Sequence, residues 1–406
     1  MKRRKITFLL PSIAGFYTKD VIEEEIKIFR RKKPDISVEV HILSWTKLWS
    51  MLVDIMKRRK TIPSPDIIAI GNTWLGTALY FELLIDISKF TSFFSEKVFL
   101  PKLVKNKIVL KYSVPWISDI RVLYYRKDIL QKINVDESEI KTIDGFVKSC
   151  EKIKKEIKDI YPFAISGQKE EILIHDLFPW LYIAGNFYRR VGNKIRFFSE
   201  KVYEGMRFYF ALVRDYYIPY RLKLKVAPPG NFFTGDYAFQ VSGTYPKKSI
   251  FNKKHSEYRE NVAKNFGVSF LPSTNGKTPV TYIGGINLVV PYTAKDVSSS
   301  LEFIKFLISP ESQLRCVSSL SMLPARVDCF EKFFTENEGE IKKVFLESSK
   351  KGKTLSCVPL LGTIEKMVSY FTTSIFRLML ERKYNEEILR KKVIQLIEEI
   401  DFIERW

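Results

Sequence analysis

The chain has 406 residues, of which 46% are hydrophobic and 28% charged, and its formal net charge is +21. This length predicts about two or three domains, and the balance of apolar and charged residues is typical of an ordinary globular protein. No stretch approaches the roughly 20 apolar residues of a membrane helix, which argues against a membrane-spanning protein.

The positive charge has three competing explanations. They are contacts with nucleic-acid phosphates, attraction to an anionic membrane or cell wall, and the lysine-rich composition of a thermophile or an AT-rich genome. The basic residues fall mostly on helix faces and at helix ends, for example 30–33, 57–60 and 152–155. Cations at helix C-termini complement the helix dipole. We therefore favour the compositional explanation and expect no specific nucleic-acid partner.

The first 84 residues predict alternating strands and helices. Apolar spacing indicates strands at 6–10, 36–40 and 67–70 and helices at 18–33, 44–60 and about 75–84. The continuous apolar run at 67–70 is typical of a parallel strand covered on both faces. The alternation predicts a doubly wound α/β sheet.

Polar and aromatic residues follow all three predicted strands. They are 12–17, the pair Ser44 and Trp45, and the segment 72–74, which is Asn-Thr-Trp. In open α/β sheets, ligands bind beyond the carboxyl ends of the strands. These residues therefore predict a ligand-binding edge.

The rest of the chain continues the mixture of strands and helices. A strand that runs into a short helix is predicted at 122–130, and further strands at 162–166, 237–243 and 267–272. Predicted helices lie at 142–155, 199–217, 298–307, from 309–310 onward, and in the tail as two helices around 383–385. Composition marks no domain boundary and no internal repeat.

The common catalytic and cofactor motifs are missing. The chain has no GxGxxG after a strand, no GxSxG and no HExxH, and both GKT tripeptides lack the preceding glycine of a phosphate loop. The three histidines are isolated in sequence, and we interpret His175, which has apolar neighbours, as a packed histidine rather than a ligand. We therefore expect no catalytic residue, no cofactor and no metal.

The four cysteines show no CxxC spacing, so neither a zinc site nor a redox motif is predicted. Scattered thiols in a large chain are more often buried small apolar side chains than disulfides. That is our expectation for Cys150, Cys316, Cys329 and Cys357.

Aromatic residues beside polar groups are the chemistry that remains. They are Trp45, Trp74, Trp116, Trp180 and Tyr245. Aromatic rings cover the apolar faces of a sugar, while amide and charged side chains bond its hydroxyls. Packing in the core is the competing explanation for each ring, and we assign Trp49 to the core by its helical spacing.

At this point the sequence resembles a known family. The stretches SWTKLWSML, PDIIAIGNTW, VPWISDIRVLYYRKDIL, FFTGDYAFQVSGTYP, TYIGGINLVVP, FIKFLISPESQLR and SMLPAR follow one another in the order seen in the extracytoplasmic solute-binding proteins of ABC sugar importers. That group (family 1) includes maltose-binding protein. The likeness covers roughly residues 1–330.

The resemblance implies an α/β fold of the two-lobed periplasmic-binding-protein type (type II), with a hinge and an interlobe cleft. The first lobe would comprise 1–113 and 273–322, and the second 114–272 and 323–406. The aromatic and polar loops of both lobes would converge on the cleft.

Ligand-binding positions carried over from the resemblance are Trp45, Asn72, Trp74, Trp116, Asp119, Tyr245, Gly284, Gly285, Asn287 and Arg326. Trp74 would stack on a sugar ring and Asn72 would hydrogen-bond a hydroxyl. The Gly pair would let the backbone approach the ligand.

The implied function is capture of a sugar or oligosaccharide by a monomeric, non-enzymatic binding protein, which delivers it to the permease subunits of an ABC transporter. A ligand-sensing subunit that serves a receptor or regulator is an alternative, and a carbohydrate-active enzyme is a more remote one.

The resemblance also implies an extracytoplasmic location. The basic start 1–5 and the apolar run after it mimic a secretory signal, but the run is brief and no small-residue cleavage site follows. We interpret it as the first strand. No early cysteine offers a lipid attachment site, so either a truncated start or an intracellular member of the family fits the sequence.

Overall fold

The computed structural model describes residues 4–13, 17–61, 63–91, 96–165, 174–192, 194–216, 232–245, 260–276, 281–355 and 357–404. The strands are β1 (Arg4–Pro11), β2 (Ile36–Leu43), β3 (Ile67–Gly71), β4 (Ser113–Ile120), β5 (Val122–Arg126), β6 (Tyr161–Ala164), β7 (Tyr188–Val191), β8 (Lys194–Phe197), β9 (Tyr237–Ser242), β10 (Phe266–Ser269), β11 (Ile283–Val289) and β12 (Leu323–Pro324). The helices are α1 (Tyr17–Lys32), α2 (Trp45–Met56), α3 (Asn72–Tyr80), α4 (Ser88–Thr91), α5 (Ile108–Tyr112), α6 (Lys127–Lys132), α7 (Ile143–Glu156), α8 (Ile174–Leu181), α9 (Ser199–Tyr216), α10 (Glu260–Lys264), α11 (Val297–Leu307), α12 (Pro310–Leu320), α13 (Val327–Phe333), α14 (Gly339–Lys351), α15 (Leu361–Leu380) and α16 (Glu386–Ile403).

The described residues contain two main β-sheets. The first has six strands in the order β12-β4-β11-β3-β1-β2, and the second has four in the order β10-β5-β9-β6. In the first sheet β1 runs parallel to β2 and β3, while β11 runs antiparallel to β3 and β4. The prediction of an α/β fold is confirmed.

The first sheet is buried on both faces. Along β1, Phe8 and Leu9 point to different core clusters, and along β3 the same is true of Ile67 and Ile68. Successive side chains of a strand point to opposite faces, so a strand with helices on both sides needs apolar residues at every position. This explains the unbroken apolar run that the sequence shows in β3.

The chain passes from the first sheet to the second between β4 and β5, at Arg121. The predicted boundary at 113/114 falls after the first residue of β4, and the one at 322/323 falls just before β12. Both strands pair in the six-stranded sheet. The sheet membership thus places the first crossing later in the chain than the sequence suggested, while the division into two lobes stays a prediction.

Most predicted elements are present, with shifted ends. The helix expected at about 75–84 begins at Asn72, so the segment 72–74 forms a first helical turn instead of a loop. The two tail helices are present, and the Asn385 side chain caps α16 by accepting from the Ile388 N–H. The predicted ends at residues 166 and 217 lie outside the described residues.

None of the described helices is long and apolar enough to cross a membrane.

The cysteines are free thiols, as expected, and all except the half-buried Cys357 are buried.

Candidate functional site

Asn72 occupies the carboxyl end of β3, where the chain turns into α3. Gly71 holds the extended N-cap conformation, and the helix starts immediately after it. The Asn72 amide nitrogen donates to the Thr354 hydroxyl at 3.2 Å, and its amide oxygen accepts from the Asn287 amide at 3.2 Å. Asn287 lies on the neighbouring strand β11, opposite Ile70. Asn72 is only 1% exposed, so its amide is fixed by these partners.

Trp74 is also held firmly, two residues further on. Its ring lies 5.4 Å from the Trp45 ring and 5.0 Å from the Trp49 ring, and it is 3% exposed. The indole N–H donates to Glu365 Oε2 at 3.0 Å, and the Thr73 hydroxyl donates to the same oxygen at 2.6 Å. The ring is therefore packed as a core side chain with a satisfied donor.

A charged network lies where the chain crosses between the sheets. Arg121 donates to Asp119 Oδ2 at 2.7 Å and also to Asp176. His175 Nδ1 lies 3.5 Å from the same Asp119 oxygen, and its ring stacks on Tyr282 at 4.6 Å. Asp119 Oδ1, Arg121 Nε, His175 Nε2 and the Tyr282 hydroxyl are buried without a partner among the described atoms. These groups join the crossing segment to the first turn of α8.

Electrostatics keep this network ionised. Burial raises the pKa of Asp119, but Arg121 and His175 outweigh that cost and hold the pKa well below its usual range. Burial lowers the pKa of Arg121, and the carboxylates Asp119 and Asp176 more than compensate. Burial raises the pKa of the Tyr282 phenol well above its usual value. The phenol is therefore a neutral hydrogen-bonding group at neutral pH.

Tyr282 joins the charged network to the Asn72 amide. Asn72, Asp119, Arg121 and Glu365 lie near enough to the Tyr282 phenol to influence its pKa. The resulting group of buried polar side chains, here called the polar junction, comprises Asn72, Asn287, Thr354, Tyr282, Asp119, Arg121, His175 and Asp176. It offers amides, hydroxyls and charges at the meeting point of the two sheets.

The glycine pair in β11 makes room for protein atoms. A Cβ at Gly284 would lie 2.7 Å from the Tyr282 ring, and a Cβ at Gly285 would lie 2.1 Å from the carbonyl oxygen of Ile117. Gly284 pairs with Asp119 and Gly285 with Ser118. These glycines therefore approach Tyr282 and β4 closely, and the expected approach of a ligand to them stays a prediction.

Three predicted site residues lie apart from the polar junction. Trp116 is fully buried in the core, with its ring 6.4 Å from that of Phe8. Tyr245 packs on Phe334 at 5.2 Å and donates its hydroxyl to Glu338 at 2.7 Å.

The third is Arg326, which forms a two-bond ion pair with Asp328 at 2.9 and 2.7 Å. Trp180, another ring that the sequence singled out, is fully buried and packs on Phe146. Trp74 and Tyr245 belong to separate core clusters, and the convergence of the loops on one cleft stays a prediction.

Other members of the junction escaped sequence reasoning. Tyr282 and Arg121 lie in the family-like stretches but were not singled out, and Thr354 lies in a GKT tripeptide without a phosphate loop. Glu365, which bonds Trp74 beside the junction, lies in a helical tail where no pattern marked it. His175 packs on the Tyr282 ring and lies beside Asp119, which agrees with its interpretation as a packed side chain. Such residues come together only through contacts between positions far apart in the chain, such as the 282 residues that separate Asn72 from Thr354.

The chemistry of the junction is that of hydrogen bonding. Within the part of the chain that the structure describes, no group of three or more His, Cys, Asp or Glu side chains could hold a metal ion. The amides of Asn72 and Asn287 with the Thr354 hydroxyl form an array of neutral donors and acceptors. Such an array suits the recognition of polar uncharged groups.

Comparisons with known proteins agree with this architecture. The maltose-bound MalE3 of T. maritima has a TM-score of 0.78 at 20% identity, with 98% of this chain and 99% of that chain covered. The sugar-binding protein MalE of Xanthomonas citri has a TM-score of 0.74 at 22% identity, with 99% and 98% covered. An ABC transporter solute-binding protein of Thermotoga lettingae, bound to α-D-tagatose, has a TM-score of 0.77 at 20% identity, with 98% and 99% covered. The fold is thus that of the two-lobed solute-binding proteins.

Sequence comparison identifies the protein family. A probable ABC transporter-binding protein of Deinococcus radiodurans is 22% identical over 280 residues, which are 64% of this chain and 62% of that relative. This chain therefore matches less than two thirds of that relative's length. The family model for bacterial extracellular solute-binding proteins matches residues 11–314, more than half of the chain. The chain belongs to the bacterial extracellular solute-binding protein family.

Proposed function

We propose that the protein binds a sugar or oligosaccharide between two α/β lobes, outside the cytoplasm, and delivers it to the permease subunits of an ABC transporter. The observation that carries this proposal is the buried amide pair Asn72 and Asn287 at the carboxyl end of β3, bonded to Thr354. In an open α/β sheet this edge is where ligands bind. The sugar-bound relatives of the same fold support a carbohydrate as the solute.

A thermal-shift screen with maltose, longer malto-oligosaccharides and tagatose tests the binding step. A sugar at about 100 times its dissociation constant should stabilise the protein by about 2.7 kcal/mol. Calorimetric titration of the best sugar then gives the dissociation constant. If no sugar in the panel stabilises the protein, or if an oligosaccharide is cleaved, the proposal is wrong.

Two variants locate the site within the molecule. Asn287→Ala removes one amide from the proposed site, and the loss of one neutral hydrogen bond to the sugar would cost about 1 kcal/mol, or roughly fivefold in affinity. Gln395→Ala is the matched control, because the Gln395 amide lies on the exposed side of α16 and bonds Glu399. Equal loss of affinity in both variants would show that the sugar binds elsewhere.

The delivery step has a separate test. Reconstituted permease should hydrolyse ATP faster when the sugar-loaded protein is added than when the sugar-free protein is added. Hinge closure presents a new surface to the transporter, and this is the physical reason for the difference. Equal stimulation by both forms would contradict sugar-dependent delivery.

A further inference from the structure

The start of α15 and the segment just before it pack against α3, and a glycine lies on each side of this contact. A Cβ at Gly76 of α3 would lie 2.0 Å from the carbonyl oxygen of Val358, which precedes α15. A Cβ at Gly362 of α15 would lie 2.5 Å from the Trp49 ring of α2, and the Gly362 N–H donates to the Thr77 hydroxyl of α3 at 3.0 Å. The start of α15 therefore lies against α2 and α3 with no room for a larger side chain at these two glycines.

Glu365 occupies the same face of α15 as Gly362, three residues later, where helical spacing places neighbours. Its Oε2 accepts from the Thr73 hydroxyl at 2.6 Å and from the Trp74 indole at 3.0 Å. The side chain is only 8% exposed. Hydrogen bonds to a carboxylate are about twice as strong as those between neutral groups, and a negative charge beside the first turn of α3 also suits its helix dipole.

The helix α15 belongs to the core around the second sheet as well. Ile364 and Val368 lie in the core cluster that includes Phe239 of β9, and Phe371 packs on Phe210 of α9 at 6.4 Å. The same helix thus contacts both the second core and, through Glu365, the turn that carries Asn72. The orientation of that turn therefore depends on how α15 packs against the second core.

We propose that Glu365 is a positioning residue for the sugar site, which rests on the function proposed above. Its carboxylate on α15 fixes the first turn of α3, so that the Asn72 amide and the Trp74 indole keep their positions. Glu365 does not contact the sugar in this proposal. Its effect on binding is transmitted through Thr73 and Trp74, the two donors that flank and follow Asn72 in the turn.

Two substitutions separate positioning from packing. Glu365→Met keeps the side-chain volume but accepts no strong hydrogen bond, whereas Glu365→Gln retains an acceptor oxygen. We expect Glu365→Met to bind the best sugar of the panel about tenfold or more weakly, since two bonds to a charged acceptor are lost. Glu365→Gln should recover part of that loss. Glu347→Met, in the exposed pairs of α14 with Lys350 and Lys351, is the matched control and should bind like the wild type.

Hydrogen exchange of the sugar-free protein supplies a readout independent of the ligand. The amides at the start of α3 should exchange faster in Glu365→Met than in the wild type, while those of β1 should not change. Wild-type exchange in α3 would overturn the inference, and so would a Gln variant that binds no better than the Met variant.

The outcomes distinguish this inference from the proposed function. If the wild type binds no sugar, both are wrong. If the wild type binds and Glu365→Met has the same dissociation constant, only the positioning role is wrong. Should Glu365→Met fail to fold, Thr73→Val removes one of the two donors, and a wild-type dissociation constant in that variant would equally overturn the inference.

Discussion

At the scale of single residues, the contribution of the Trp74 side chain to stability can be measured directly. Its ring lies between Trp45 and Trp49, and its indole N–H is bonded to Glu365. A ring packed in this way contributes to the stability of the sugar-free protein, whatever it contributes to binding. Stability and affinity must therefore be measured separately for its variants.

Trp74→Ala should lower the free energy of unfolding by about 3 kcal/mol or more, because it leaves a cavity where a large buried ring was. Chemical denaturation of the sugar-free protein measures this. Trp74→Phe is the control: it keeps an aromatic ring and loses mainly the bond to the Glu365 carboxylate, so it should cost about 1.5–3 kcal/mol. Wild-type stability in Trp74→Ala would show that the ring is not core packing.

The lowered pKa of Asp119 predicts that the stability of the protein depends on pH. Its folded pKa lies below its unfolded value, so the carboxylate contributes stability that is present above about pH 4 and is lost as the pH falls toward the folded pKa. Asp119→Asn should therefore be less stable at pH 7, by about 3 kcal/mol for a broken buried pair. Its free energy of unfolding should also fall less steeply below pH 4.

Asp35→Asn is the control for this pH experiment. Asp35 also has a lowered pKa beside Arg4, but that pair is exposed to solvent. Exposed pairs contribute little to stability. If the free energy of unfolding fell equally with decreasing pH in the two variants, the buried network around Arg121 would not be the source of the pH dependence.

At the scale of elements, the contact between α3 and α15 predicts a steric effect. Gly76→Ala would place a methyl group 2.0 Å from the carbonyl oxygen of Val358, so α3 or the segment just before α15 must shift. Such overpacking costs about 1–3 kcal/mol, and the shift should also weaken sugar binding through the turn at Asn72. Thermal denaturation and calorimetric titration measure the two effects.

Gly339→Ala is the matched control for Gly76→Ala. Gly339 begins α14, and a Cβ there meets no atom within 4 Å. The substitution should leave stability unchanged or raise it slightly, since alanine favours the helix more than glycine does. A Gly76→Ala protein as stable as Gly339→Ala would show that the helices can separate freely.

At the scale of the whole molecule, the arrangement of two sheets joined at Arg121 allows a hinge motion. If the lobes close on the sugar, small-angle scattering should show a smaller radius of gyration with saturating sugar than without it. Asn287→Ala should need a higher sugar concentration for the same change. Identical scattering curves with and without a calorimetrically bound sugar would contradict closure.

The sequence by itself determined the α/β class and most of the helices and strands. These follow from local patterns, since apolar periodicity and capping residues act over a few positions: the run 67–70 became β3, and Asn385 became the cap of α16. The tertiary structure alone decided that Trp116 and Tyr245 are buried in the core and that Asn72 bonds Asn287 and Thr354. It also decided that Trp74 is bonded to Glu365, 291 residues away. An aromatic ring beside a polar residue looks the same in a sequence whether it faces a ligand or a helix, because the difference lies in which distant element packs against it.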